Sequence, residues 1–170
     1  MSLKDVRAVI ASAKSRGIEP LERLVRRRFH SATEAEILDA TDLALEIIDS
    51  VPIFLARAYQ EAKDRQLGSV VEPILAHVES YFLQPIDMIP EMTLGLPGLL
   101  DDTYLFLRIL KNLDRGSEPF LDWDLDHPLA FLRRLIGEQV ARRLDDRSLE
   151  AMQEMSYDLF RLWERLAPRA

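Results

Sequence analysis

Apolar residues recur along this chain at three- and four-residue intervals, the spacing that lines one face of an α-helix. Val6, Val9, Ile10 and Ala13 form a first stripe, ended by Gly17. Leu21, Leu24, Val25 and Phe29 form a second, opened by Pro20. Thr33 and Glu36 have the spacing of a capping box, in which a hydroxyl and a carboxylate satisfy backbone donors that a helix start leaves orphaned. Ile37, Leu38, Thr41, Leu45 and Ile48 follow on one face. Pro52 has no N–H and is expected to break or kink this helix, with a further helix running to about Gln66.

Gly68 reads as the stop of that helix. Ser69 and Glu72 repeat the capping-box spacing, with Pro73 placed in the first turn. Val71, Ile74, Leu75, Val78 and Phe82 then face a core. Between residues 84 and 98 stand Pro85, Pro90, Gly95, Pro97 and Gly98, a density of breakers that predicts an ordered loop. A helix resumes over Leu99 to Leu113. Its apolar residues, Leu105, Phe106, Leu107, Ile109 and Leu110, cover most of the circumference and place it at the centre of a bundle. Residues 114–127 read as loop. Two amphipathic helices close the chain, one using Leu129, Leu132, Leu135, Ile136 and Val140, the other Leu149, Met152, Leu159, Phe160 and Trp163. No strand alternation appears. The predicted architecture is all-α: one domain over residues 1–170, a bundle of about seven helices with an ordered Pro-rich loop between two core helices.

The length of 170 residues suits one domain, which at this size buries about 68–70% of the surface its unfolded chain exposes. There is no cysteine, which excludes disulfides, thiolate metal sites and cysteine nucleophiles, and fits a reducing compartment. Charges interrupt residues 1–20, so no secretory leader is read there, and no run of about 20 apolar residues predicts a membrane span. The expected location is the cytoplasm, with peripheral membrane attachment as an alternative. The formal charge of −7 is uneven: residues 1–30 hold eight basic and three acidic side chains, and the rest 14 and 26. The basic end either packs beside the acidic body of its own chain or touches an anionic partner.

Chemistry is concentrated in one stretch. Tyr81 to Asp102 reads YFLQPIDMIPEMTLGLPGLLDD and carries four carboxylates, Asp87, Glu91, Asp101 and Asp102. Two readings follow. Asp101 and Asp102, in the first turn of the central helix, favour its positive end by about 0.3–1 kcal/mol each, and Asp87 folds onto loop N–H groups as an Asx turn. Alternatively, the oxygens suit a hard divalent cation such as Mg²⁺, Ca²⁺ or Mn²⁺. Neighbours on a helix point about 100° apart, so one of Asp101 and Asp102 would join Asp87 and Glu91. No further base or electrophile accompanies them, so the stretch predicts no catalytic residue.

The same stretch resembles the YkvA-like family, a short domain of unknown function, over about residues 70–114. The family pattern runs Pro-x-Asp-x-Ile-Pro-Asp, then Pro, then Gly-x-x-Asp-Asp. Pro85, Asp87, Ile89 and Pro90 match it, as do Gly98, Asp101 and Asp102, and Tyr81 stands where the family has an aromatic residue on the preceding helix. Glu91 replaces an Asp, the loop is one residue longer before Gly98, and Pro97 directly precedes that glycine. The resemblance implies a helical fold, no established reaction and, for some relatives, association with membranes.

Other motifs are weaker. Asp122, Asp124 and Asp126 alternate like the start of a calcium loop, but His127 and Arg133 stand where such a loop needs Gly and Glu. Asp126 instead reads as the cap of a helix opened by Pro128. His30, His77 and His127 show no metal-ligand spacing, and His77 reads as a packed residue. Arg26, Arg27 and Arg28 end a short helix whose dipole they complement. They also offer a contact to an anionic lipid surface, worth about 1 kcal/mol per residue. No aromatic platform interleaves them, so nucleic acid is not the expected partner. The leading expectation is a non-catalytic interaction or regulatory module with a protein partner and no cofactor. A divalent-metal site, with hydrolysis as an extension, is the alternative, and peripheral membrane binding through residues 1–30 the third.

Overall fold

The computed structural model describes residues 3–83, 95–114 and 119–166, with side chains up to residue 153. Among these residues seven α-helices and one short 3₁₀ helix occur, and no strand. The helices are α1 (Leu3–Lys14), α2 (Glu19–Arg28), α3 (Glu34–Asp64), α4 (Gly68–Leu83), α5 (Leu100–Asn112), α6 (Asp126–Ile136) and α7 (Glu138–Leu166). The 3₁₀ helix, Leu96–Leu99, leads directly into α5.

The central position of α5 is as the apolar pattern requires. Of its thirteen residues, all except Arg108, Lys111 and Asn112 are buried. It packs against α3, α4, α6, α7 and the 3₁₀ helix. Helix α1 lies on α3 and α4, and α2 on α3 and α6. Phe106, fully buried on α5, meets the Phe82 ring of α4 edge to face at 6.3 Å. The side chains of Leu159, Phe160 and Trp163 lie outside the described ones, although the α7 backbone spans them.

Three boundaries differ from the sequence expectation. Pro52 neither breaks α3 nor ends it: the helix runs unbroken for 31 residues with Pro52 buried inside it. An interior proline costs about 3 kcal/mol in a helix. Ile48, Val51 and Leu55 around it are fully buried, and each such side chain contributes about 1.5–3 kcal/mol. Tertiary burial therefore outweighs the local penalty.

Gly68 does not stop α3 but opens α4, so Pro73 lies beyond the first turn. The stop is Gln66, in the left-handed region at φ 57°. Leu67 N–H reaches back to the Ala62 carbonyl at 2.7 Å, closing the last turn. At the other end of the chain, Gly137, with φ 92° and ψ 151°, separates α6 from α7, so Val140 belongs to the second of the two closing helices. Thr33 and Glu36 do form their capping box, each side chain meeting the other residue's backbone N–H.

Candidate functional site

The predicted acidic site divides between described and undescribed residues. Pro85, Asp87, Ile89, Pro90 and Glu91 lie outside the described residues. Tyr81 is buried in the last turn of α4, where its hydroxyl lies 3.1 Å from His77 Nε2. His77 itself is exposed rather than packed inside, its ring edge-on to Tyr81. Gly98 falls within the 3₁₀ helix. Gly95, just before it, has φ 77° and ψ −150°, a conformation essentially restricted to glycine.

Asp101 and Asp102 stand in the first turn of α5, as expected, and both are buried. Two adjacent aspartates can be buried together because α5 is enclosed on nearly every side. They point about 100° apart, so they enter different parts of the interior. Thr103, also fully buried, has no hydrogen-bond partner for its hydroxyl among the described residues. Among those residues no three His, Asp or Glu side chains are grouped so as to hold a metal ion.

Elsewhere the charged and hydroxylic side chains act as struts between helices. Tyr104 on α5 donates to Asp145 Oδ1 on α7 at 2.8 Å, and Arg133 on α6 donates to both Tyr104 Oη at 3.0 Å and Asp145 Oδ2 at 2.7 Å. Arg108 adds a bond to Asp145 Oδ1 at 3.1 Å. Arg133 also forms a two-pronged pair with Glu138, which Arg142 joins. Arg133 first, and Arg142 second, hold the Glu138 carboxyl down at about 2. Burial, and then the bond to Asp145, pushes the Tyr104 phenol up to about 12. Between α3 and α4, Tyr59 donates to the buried Glu79 at 2.9 Å. Neither partnership shows in the sequence, because the residues are 20 to 41 positions apart.

The alternating aspartates have a different role from the one expected. Asp126 is the first residue of α6 rather than its cap, and Leu125 holds the cap position without a side-chain bond. Asp124, just before it, accepts from the N–H of Asp126 at 2.9 Å through Oδ1, and its other oxygen meets the His127 ring.

The basic N-terminal end is only partly neutralised. Lys14 pairs with Asp49 at 2.7 Å, and Arg26 is held by Glu22 and Glu34. Arg28 instead turns toward the end of α6 and donates to the Ile136 carbonyl at 3.3 Å. Beside it α2, α3 and α6 enclose an open cleft of about 440 Å³. Phe29 and Phe131 stack within it at 6.3 Å, and the Arg134 guanidinium lies 5.0 Å over the Phe29 ring. Glu36, on its rim, already accepts from the Thr33 N–H and hydroxyl. Neither Arg28 nor Arg134 has a carboxylate within ion-pair distance among the described residues. The arginine triplet runs directly into Phe29 and pointed toward this region, but Phe131 and Arg134 come from distant positions.

The described helices include none long and apolar enough to cross a membrane. Compared with known protein families, curated proteins and solved structures, the chain matches none.

Proposed function

We propose that this chain is a non-catalytic interaction or regulatory module of the YkvA-like kind, acting on a protein partner. One observation carries the reading: polar side chains between helices are paired with one another as struts, whereas the α2–α3–α6 cleft carries stacked aromatic rings and two arginines with no carboxylate partner among the described residues. Concave sites lined by apolar rings with a few polar groups are the usual form of a binding site. The test is an assay of common phosphoesters with Mg²⁺, Mn²⁺ and Ca²⁺. No metal-dependent turnover is expected, and turnover abolished by Asp87→Ala would overturn the reading.

The second reading is a divalent-cation site using Asp87, Glu91 and one of Asp101 and Asp102. Its support is the burial of both aspartates and, next to them, the Thr103 hydroxyl with no hydrogen-bond partner among the described residues. The donor set fits a hard cation, since all its side-chain donors are carboxylate oxygens. A cation at 100 times its dissociation constant would stabilise the fold by about 2.7 kcal/mol. A melting temperature unmoved by Mg²⁺, Ca²⁺ and Mn²⁺ would exclude this reading. Peripheral membrane contact, the third, rests on the exposed Arg27 and is checked by flotation with anionic vesicles.

A further inference from the structure

We infer that the α2–α3–α6 cleft receives an acidic segment of a partner protein, with an apolar or aromatic residue beside its carboxylates. This rests on the interaction-module reading and names the chemistry of the partner.

Three observations converge on that occupant. The first is charge. Arg134 lies over a ring, with no carboxylate within ion-pair distance among the described residues, and Arg28 shows one bond, to a backbone carbonyl. A guanidinium has five N–H donors in a planar fork that matches a carboxylate. The Phe29 ring holds the Arg134 guanidinium carbon 5.0 Å from its centroid, and Arg134 stays exposed, so its N–H donors can reach a ligand. The one acid on the rim, Glu36, is engaged by Thr33.

The second is the apolar surface. Phe29 and Phe131 pack against the core but are not fully buried, and the stacked pair presents its remaining ring surface to the cleft. The third is extent. Glu36, Ala40 and Leu43 follow at the four- and three-residue spacing that keeps side chains on one side of a helix. Leu43 is 41% exposed, which carries the apolar surface about one further turn along α3. An elongated surface of this kind suits a peptide segment better than a compact small molecule.

An anionic bilayer fits the same features less well. A bilayer is broad and flat, whereas these arginines border a concavity. Arg26, which would strengthen a basic face, is bound to two carboxylates of its own chain.

The experiment is an amide NMR titration of the full chain with the peptide acetyl-EEFEELE-amide, using acetyl-KKFKKLK-amide as control. Saturable shifts at Phe29, Ala40 and Phe131 are expected with the acidic peptide alone. Arg134→Glu should weaken binding about tenfold or more, corresponding to one charge-assisted contact, and Arg134→Lys should weaken it less. Arg143→Glu, an equal charge change at an exposed position on α7, should leave binding unchanged. Absence of saturable shifts, shifts located elsewhere, or equal loss in Arg143→Glu would each overturn the inference. So would binding to phosphatidylserine vesicles that the peptide does not compete away. A partner recovered by proximity labelling equally well with Arg134→Glu would remove this cleft but leave the interaction module standing. Metal-dependent turnover would remove the module itself.

Discussion

Tyr104 and Arg133 show how single side chains join this bundle. The Tyr104 hydroxyl donates to Asp145 and accepts from Arg133, so α5, α6 and α7 meet at one oxygen. Tyr104→Phe should lower stability by about 1 kcal/mol, the usual net value of a hydrogen bond, as read by urea denaturation. The network also sets the pH response. The Tyr104 phenol is raised in the folded state from 10.0 to about 12, so the unfolded chain loses that proton first. The resulting stabilisation is complete below pH 10.0 and lost as pH rises through about 12. Denaturation midpoints should fall over that interval, and less steeply in Tyr104→Phe. Glu138 behaves in the opposite sense. Its carboxyl is lowered from 4.5 to about 2, so its contribution is present above 4.5 and lost as pH falls through about 2. Arg133→Gln should flatten this acid limb.

Helix ends are decided by one or two backbone conformations, and these separate elements that the apolar periodicity alone runs together. Gln66 ends α3 in a left-handed conformation that costs an L-residue about 1–2 kcal/mol. Gln66→Gly should therefore stabilise the protein by about 0.5–1 kcal/mol, after allowing for the extra freedom glycine has when unfolded. Gly137→Ala should do the reverse, by about 1–3 kcal/mol. Its φ of 92° disfavours any side chain, and an added Cβ would meet the Arg28 guanidinium at 3.6 Å. Thermal melts of the two variants should move in opposite directions. The contrast with Pro52 is instructive. A local rule predicts a break there, but α3 continues because its buried face on either side of the proline is uninterrupted.

Over the whole molecule, stability depends on how completely α5 is enclosed. Phe106→Ala should cost about 3–5 kcal/mol, since the cavity opens at the centre of the bundle. Leu149→Ala should be close to neutral, because Leu149 on α7 is 51% exposed. Comparison of the two denaturation midpoints checks both. The same enclosure buries Asp101 and Asp102, so this pair enters the interior instead of lining an exposed surface.

Periodicity along the chain was sufficient for the all-α class, for α1 and α2, for the Thr33–Glu36 cap, and for α5 as the central helix. Each depends on interactions within a few residues or on the apolar fraction of one helix, which a linear pattern records. The spacing also placed Asp101 and Asp102 in the first turn of α5. The continuity of α3 through Pro52, the break at Gly137 and the bond from the Asp126 N–H to Asp124 at the start of α6 were settled by three-dimensional packing and local backbone geometry. The Tyr104–Asp145–Arg133 strut and the Phe29–Phe131–Arg134 cleft were decided only by tertiary structure. Their members are separated by up to about a hundred residues, and no local spacing encodes which side chains of distant helices come to share a face.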